Sequence, residues 1–349
     1  CIENAFSLCI SHKLTSVTLS DGLKTIDWGA FAECHELPSI DIPEGVTTIG
    51  NYAFTHCYKL SSVTIPESVT SIGIYAFRNT AITSVMIPAN ISSLSQGTFE
   101  NCPNLSSITC KAETPPSVGH SETFYNVNRS IPVYVPVSAI DAYKEADYWK
   151  EFTYFLPMGT CGDNLTWVLT DEGELIVEGT GDMYDYEPQT APAPWNAYRE
   201  LIMTVTLSEV VASIGDYAFR GCCLTDITIP KNSKLTSIGN GAFESCTSLI
   251  TITIPEGVTS IGKSAFDGCS SLTSSTIPEG VTSIGYGTFR YCSLTDITIP
   301  EGVTSIEKYA FYGCSSLTAI TCHAVIPPTI ENSNTFNKVP KSIPVYVPV

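Results

Sequence analysis

Basic residues are scarce in this chain of 349 residues. Lys and Arg number 17 against 35 Asp and Glu, for a net charge of −18. That balance argues against a nucleic-acid partner, because phosphate binding needs Lys and Arg to release counterions. It disfavours an anionic lipid surface for the same reason. Long apolar runs are missing too. None approaches the ~20 residues of a membrane helix, so no membrane insertion is expected. Charged residues are 15% and hydrophobic residues 43%, a composition too apolar for disorder. No HExxH, GxSxG, P-loop or GxGxxG pattern occurs, so neither an enzyme nor a cofactor is expected. The chain opens at Cys1 inside a repeated unit and stops inside another repeated motif. We therefore expect a piece of a longer polypeptide. Nothing indicates an oligomeric state.

What is abundant is internal repetition, which decides the fold. Leu60 to Phe77 reads LSSVTIPESVTSIGIYAF, and Leu249 to Phe266 reads LITITIPEGVTSIGKSAF. The template is L-x-x-I-x-I-P-x-x-V-x-x-I-G-x-x-A-F-x-x-C. Its Phe falls at Phe6, Phe31, Phe54, Phe77 and Phe99, then at Phe219, Phe243, Phe266, Phe289 and Phe311. Steps within each set are 22 to 25 residues, most often 23, whereas Phe99 and Phe219 stand 120 apart. Two arrays are expected. In each unit, L-x-x-I-x-I is a short strand with alternate side chains inward. The Pro that follows cannot donate to a ladder and stops it. V-x-x-I crosses a second side, and A-F-x-x-C turns tightly to drop Ala, Phe and Cys inside. Circuits then stack with parallel strands and a right-handed crossover. Stacking is required because one circuit has no core of its own.

Array ends need covering, since an open strand edge invites pairing. One terminator occurs twice: Ile108-Thr109-Cys110, Pro115-Pro116, Phe124 and Ile131 to Val137 return as Ile320-Thr321-Cys322, Pro327-Pro328, Phe336 and Ile343 to Val349. The first copy continues through Ser138 to Phe152. Ser138 with Asp141 resembles a capping box, and Ile140, Tyr143 and Trp149 supply an apolar face, so a short helix over the end is expected. Leu165 to Leu169, a turn at Asp171-Glu172-Gly173, and Leu175 to Val177 read as a β-hairpin. Pro188 to Trp195 reads as a loop, and Ile202 to Leu207 enters the second array. The expected architecture is a repeat solenoid with parallel β-sheet and short turns or 3-10 segments. Residues 1–157 form the first array with its cap and helix, 158–200 a β-hairpin capping block, and 201–349 the second array with a truncated cap.

These residues resemble the BspA-like leucine-rich repeat family of bacterial surface proteins. The A-F-x-x-C-x-x-L-x-x-I-x-I-P pattern carries the resemblance over both arrays. The block Gly159 to Trp167, with Gly179 to Met183, resembles the segment that often precedes such arrays. One unit departs: Thr80 takes the Cys place after Phe77 and the unit is one residue short. The resemblance implies a cell-surface or extracellular location and adhesion to host matrix proteins.

There are 14 Cys. Cys9, Cys34, Cys57, Cys102, Cys222, Cys246, Cys269, Cys292 and Cys314 each follow a repeat Phe by three residues, while Cys110 and Cys322 replace a strand Ile. We read them as a column of small buried thiols. A disulfide framework is the rival, but stacked side chains point the same way and defeat the bridge dihedral. Cys223 stands where other units have Ser, and Cys1 and Cys161 have no clear partner. Single Cys at this period is not zinc spacing. Among the five His, namely His12, His35, His56, His120 and His323, only His35 and His56 are placed to lie close. Surface polarity is their default reading and a metal pair the minor one. Glu44, Glu67, Glu256, Glu279 and Glu301 follow the turn Pro and stack at one rim. A solvated edge is preferred there over calcium binding, as it is for Asp163 and Asp171-Glu172.

Outward strand positions are small and hydroxylic. They read first as an ordinary solvated sheet face; the functional alternative makes Thr251, Thr253, Thr295, Asp296 and Thr298 the candidate binding face, for a protein ligand docking on a smooth sheet. Tyr52, Tyr75, Tyr217 and Tyr309, each before A-F, form a second candidate stripe. The function expected is a non-catalytic surface module for adhesion or protein–protein interaction. The alternative is a structural spacer within a larger surface protein.

Overall fold

The computed structural model describes residues 13–348. Cys1, Phe6, Cys9 and His12 lie outside the described residues. The chain divides into two compact units, Cys1–Met158 and Gly159–Val349. Each is a parallel β-solenoid of short-stranded circuits, and among the described residues no helix is long and apolar enough to cross a membrane.

Each circuit has three sides. On the first, L-x-x-I-x-I forms strands of two to four residues, as in Ser39–Asp41, Ser62–Thr64 and Ser84–Ile87. Ile40, Val63 and Val85 point inward while the flanking Ser, Asp and Thr face water. Adjacent circuits pair in parallel, Ile40 opposite Val63 and Val85 opposite Ile108. On the second side, the V-x-x-I stretch forms two-residue strands such as Thr48–Ile49, paired with Ser71–Ile72.

The third side, A-F-x-x-C, carries a ladder that sequence reasoning did not foresee. The N–H groups of Gly29, Phe31 and Glu33 donate to the carbonyls of Asn51, Ala53 and Thr55 one circuit on, at 2.9, 2.8 and 2.9 Å. The same pattern recurs in unit 2, where Tyr217, Phe219 and Gly221 donate to Asn240, Ala242 and Glu244. It works because left-handed residues alternate with right-handed ones. Tyr52 and His56 have φ of 59°, and Tyr75 and Asn79 have 55° and 57°. Such a residue costs about 1–2 kcal/mol when not Gly; here each one turns a peptide group along the stack, where it bonds. At Gly97, φ is +61° and a Cβ would sit 2.1 Å from the Tyr75 ring. Glycine there serves both the conformation and the packing of the tyrosine beneath it.

Aromatic rings form a continuous interior spine in each unit. Phe31, Phe54, Phe77, Phe99 and Phe124 stack at 5.3, 5.3, 5.7 and 6.0 Å with near-parallel planes. In unit 2 the spine runs from Trp195 through Phe219, Phe243, Phe266, Phe289, Phe311 and Phe336, with centroids 5.3 to 5.6 Å apart. Three members lie outside the repeat template. Phe124 and Phe336 continue the columns, and Trp195, read from sequence as part of a loop, heads the second. Inside one circuit of unit 2, Ser275 replaces the Ile that neighbours supply as Ile252 and Ile297. Ser275→Val should raise the unfolding midpoint, by about 1–2 kcal/mol of regained apolar burial. Thermal melts of the two chains check this, and a lowered midpoint would count against it.

The ends are closed differently. In unit 1, Pro132–Pro136 pairs in parallel on one edge with Ser107–Cys110 and on the other with Tyr154 to Met158. Between them lie the helix Ile140–Glu145 and a 3-10 turn Trp149–Glu151. Tyr143 and Trp149 are fully buried, while Ile140 is half-buried. The expected capping box does not form. The helix N-cap is Ala139 without a side-chain cap bond, and the Ser138 hydroxyl donates instead to the Glu113 carboxylate. The shorter Asp141 side chain stands where a capping box uses Glu. In unit 2, Leu165–Leu169 pairs antiparallel with Glu174–Gly179, which pairs in parallel with Thr204–Leu207. The turn between the hairpin strands includes Gly173 at φ +81°. Trp167 meets Trp195 edge-on at 5.6 Å, joining the hairpin to the spine.

Candidate binding surface

Thr251, Thr253, Thr295, Asp296 and Thr298 are all exposed, on the outer side of the strands that hold Ile252 and Ile297 inside. They are not equivalent. Thr295 belongs to a column of hydroxyls already in use. Its Oγ1 donates to Thr273 O at 3.3 Å, Thr273 Oγ1 to Ile250 O at 3.3 Å, and Thr318 Oγ1 to Thr295 O at 2.9 Å. Unit 1 repeats this with Ser61, Thr83 and Ser106 on the carbonyls of Pro38, Ser61 and Thr83. Thr295 also lies 3.0 Å from the Asp296 carboxylate. Among the described residues, Thr251, Thr253 and Thr298 make no such side-chain bond and present their hydroxyls to solvent. Sheet position therefore separates a hydroxyl column that ties circuits together from the solvent-facing hydroxyls of Thr251, Thr253 and Thr298, although Thr276, in the column of Thr253 and Thr298, bonds Ile254 O of the previous circuit at 3.4 Å.

The tyrosine stripe is broken and reassembled. Tyr52 and Tyr75 do form a row, 5.4 Å apart, extended by Trp28 at 5.8 Å from Tyr52. Trp28 is 66% exposed. Tyr75 is drawn into a polar cluster, its hydroxyl donating to Glu122 at 2.7 Å, and that hydrogen bond holds the phenol pKa above its usual value. Tyr217 does not meet Tyr309, because Gly241, Ser264 and Gly287 occupy the intervening circuits. Instead Tyr309 joins Tyr286 and Tyr312 at 5.5 and 5.4 Å, and Tyr312 meets Tyr291 at 5.3 Å, all edge to face. Three cations surround this cluster. Lys308 Nζ lies 4.7 Å from the Tyr309 ring, Lys338 Nζ 5.1 Å from Tyr312, and the Arg290 guanidinium 5.7 Å from Tyr291. Arg290 is itself fixed by a two-point bond to the buried Asp267, one circuit earlier. Sequence reasoning singled out Tyr309 alone. Tyr286, Tyr291 and Tyr312 occupy other template positions and converge only across circuits.

The thiol column is present with one exception. Cys57, Cys102, Cys222, Cys246, Cys269, Cys292 and Cys314 are free and buried. Six of them are more than small apolar fillers: Cys57 Sγ donates to Phe31 O at 3.0 Å, and Cys102, Cys246, Cys269, Cys292 and Cys314 bond the Phe carbonyl of an earlier circuit at 3.0 to 3.2 Å. Thr80, standing in the Cys place, meets the Cys102 sulfur at 3.3 Å. Cys34 departs from the expected free thiol and is disulfide-bonded. Burial pushes the thiols of Cys57, Cys222, Cys269 and Cys314 up to about 12. Half-buried Cys223 should therefore be alkylated by iodoacetamide well before these four, which should need denaturant. Peptide mass mapping of native and unfolded protein reads this directly.

His35 and His56 do lie close, joined through Glu33, whose carboxylate bonds His56 Nδ1 at 2.8 Å and His35 Nε2 at 2.9 Å. The His56 bond chiefly holds the Glu33 carboxyl below its usual range. Glu44, Glu67, Glu256, Glu279 and Glu301 are all exposed; Glu67 pairs with Lys111 at 2.6 Å. Asp163 accepts from the Tyr184 hydroxyl at 2.9 Å. Among the described residues no three His, Cys, Asp or Glu side chains come together to hold a metal ion.

No curated protein matches the chain. Several solved structures are similar, three of them as follows. One is a leucine-rich cell surface protein from Faecalibacterium prausnitzii, at 26% identity over 92% of this chain, with a TM-score of 0.32. This chain spans 62% of that protein's length. The second is a leucine-rich repeat protein from T. pallidum, at 23% identity over 52% of this chain and 91% of that one, TM-score 0.40. The third is the pneumococcal vaccine antigen PcpA, at 16% identity over 87% of this chain and 80% of that one, TM-score 0.35. The model of the BspA-type leucine-rich repeat region, in six copies, matches residues 2–129 and 197–323. Those segments hold most of the circuits described above, and the chain belongs to the BspA-type leucine-rich repeat family.

Proposed function

We propose that this chain is a non-catalytic binding module of the bacterial cell surface, docking protein partners in adhesion to host matrix. The observation that carries the reading is the tyrosine cluster Tyr286, Tyr291, Tyr309 and Tyr312 with its three cations. Tyrosine and arginine dominate the energetics of protein interfaces, since large amphipathic rings bind with little entropy loss. Here the rings are braced against one another on adjacent circuits, so they are ordered before any partner arrives. Cations are rare in a chain of net charge −18, and their gathering here suits an acidic partner surface. The sheet face supplies the flank. Tyr291 precedes Thr295 by four residues on one circuit, with Thr251, Thr253, Asp296 and Thr298 as its solvent-facing groups. The experiment is biolayer interferometry against a panel of extracellular-matrix proteins, collagen and laminin among them. A binder should lose about 30-fold in affinity on Tyr291→Ala with Tyr312→Ala, and less on Thr253→Ala with Thr298→Ala. Flat responses across the panel would reject adhesion.

A structural spacer is the second reading. One observation favours it: the first outward hydroxyl column is occupied in holding circuits together, which is a use of the sheet face that needs no ligand.

A further inference from the structure

Of the four tryptophans in the chain, Trp149, Trp167 and Trp195 are buried and Trp28 is 66% exposed. Trp28 stands between Ile26 and Phe31 as Asp216 stands between Ile214 and Phe219 in unit 2. One circuit on, both units carry asparagine at that template position, as Asn51 and Asn240. The two amides are oriented alike. Asn51 Oδ1 accepts from the Ile74 N–H at 2.8 Å, and Asn240 Oδ1 from the Lys263 N–H at 2.9 Å. Their nitrogens differ. Asn240 Nδ2 donates to the Asp216 carboxylate at 2.8 Å, and the other Asp216 oxygen takes the Asn240 N–H at 2.6 Å. In unit 1 Trp28 replaces that aspartate, and Asn51 Nδ2 has no hydrogen-bond partner among the described residues.

Asp27 supplies a carboxylate beside the indole, at a position that Gly50, Gly73, Gly215 and Gly239 hold in other circuits. Its Oδ1 accepts from the Trp28 N–H at 2.7 Å, and its Oδ2 has no hydrogen bond among the described residues. The peptide between Asp27 and Trp28 lies against Gly50, where a Cβ would stand 2.8 Å from Asp27 C, and the Gly50 N–H donates to Ile26 O at 2.7 Å. Tyr52 meets the indole from the next circuit at 5.8 Å, and its hydroxyl makes no hydrogen bond among the described residues. Asp27, Trp28 and Asn51 are all exposed. An open aromatic ring thus stands between a carboxylate oxygen and an amide nitrogen that are both unused, each fixed through the other atom of its group.

We propose that Asp27, Trp28, Asn51 and Tyr52 form a binding site for a neutral glycan, one pyranose ring of which lies on the indole. A sugar ring has an apolar C–H face and hydroxyls at its edge that both donate and accept. The C–H face matches the electron-rich face of the indole. An ionised carboxylate only accepts and an amide nitrogen only donates, so sugar hydroxyls are read from both sides. A few fixed polar groups around an aromatic wall are what orients a small ligand. The Asp27 carboxylate repels acidic sugars, and the net charge of −18 acts in the same direction. The site lies in unit 1 and does not depend on the tyrosine cluster of unit 2.

The test is isothermal titration of the whole chain with neutral hexasaccharides of glucose, mannose and N-acetylglucosamine, with a heparin hexasaccharide as the acidic arm. Saturable binding of at least one neutral sugar, and none of heparin, is expected. Affinity should fall about tenfold or more in Trp28→Ala, a variant that keeps its fold because the side chain is exposed. It should fall about tenfold in Asn51→Asp, which keeps an oxygen on the Ile74 N–H and removes the donor. Acrylamide quenching gives a second readout, since the other three tryptophans are buried. Saturation with sugar should shield the quenchable emission of the parent chain and change nothing in Trp28→Ala. No saturable binding of any of the three neutral sugars overturns the proposal, as does a preference for heparin or binding indifferent to Trp28→Ala. Loss of matrix-protein binding in Trp28→Ala, with no sugar bound by the parent chain, would assign this face to a protein and overturn it as well.

Discussion

Phe266→Ala should lower the stability of unit 2 by about 3–5 kcal/mol, among the largest losses a single substitution can produce in this chain. The ring is fully buried and stacks on Phe243 at 5.3 Å and on Phe289 at 5.4 Å. Removing it opens a void that circuits cannot close by collapsing, because the backbone ladders on three sides set their spacing. Two ring contacts disappear together, each contributing about 0.5–1.5 kcal/mol beyond its buried area. In a one-dimensional array the lesion also uncouples the circuits on either side. Chemical denaturation followed by far-ultraviolet circular dichroism reads the shift. Phe336→Ala is the comparison, and its cost should be smaller, since Phe336 is only half-buried. Equal costs at the two positions would contradict the spine as the main source of cohesion.

Trp149→Ala should destabilise unit 1 by a similar amount, about 3–5 kcal/mol. The indole is fully buried, meets Phe124 and Tyr143 at 5.2 Å, and donates to the Pro116 carbonyl. Truncation leaves a cavity over the last ring of the spine and a carbonyl without its donor, itself a penalty of about 1–3 kcal/mol when it stays dry. The loosened cap then uncovers the edge of Pro132–Pro136, an invitation to strand pairing between molecules. Thermal unfolding with light scattering separates the two effects. A Trp28→Ala control should change stability by no more than about 0.5 kcal/mol, because Trp28 is 66% exposed. A harmless Trp149→Ala would mean that the helix decorates the end without sealing it.

The repeat was legible from residue spacing because burial imposes its own period. Phe and Cys recur in register since each circuit returns them to one interior line, and the Pro after each strand marks where the ladder must stop. The duplicated terminator and the hairpin at Leu165 to Gly179 were legible for similar local reasons, namely alternation and turn chemistry. The capping box was misread because Ser138 had a better acceptor in Glu113, distant in sequence. Trp195 was missed because its flanking prolines signal a loop, and nothing local says that a loop side chain will lie on Phe219.

By itself, then, the sequence determined a stacked solenoid with aromatic and thiol interiors, since those depend only on which side chains avoid water and how often. Tertiary structure alone decided the turn ladder, the bonds from thiols to phenylalanine carbonyls, and the meeting of Tyr286, Tyr291, Tyr309 and Tyr312. Each of these is set by the vertical register of circuits more than twenty residues apart, which fixes donor against acceptor and ring against ring and leaves no trace in local periodicity.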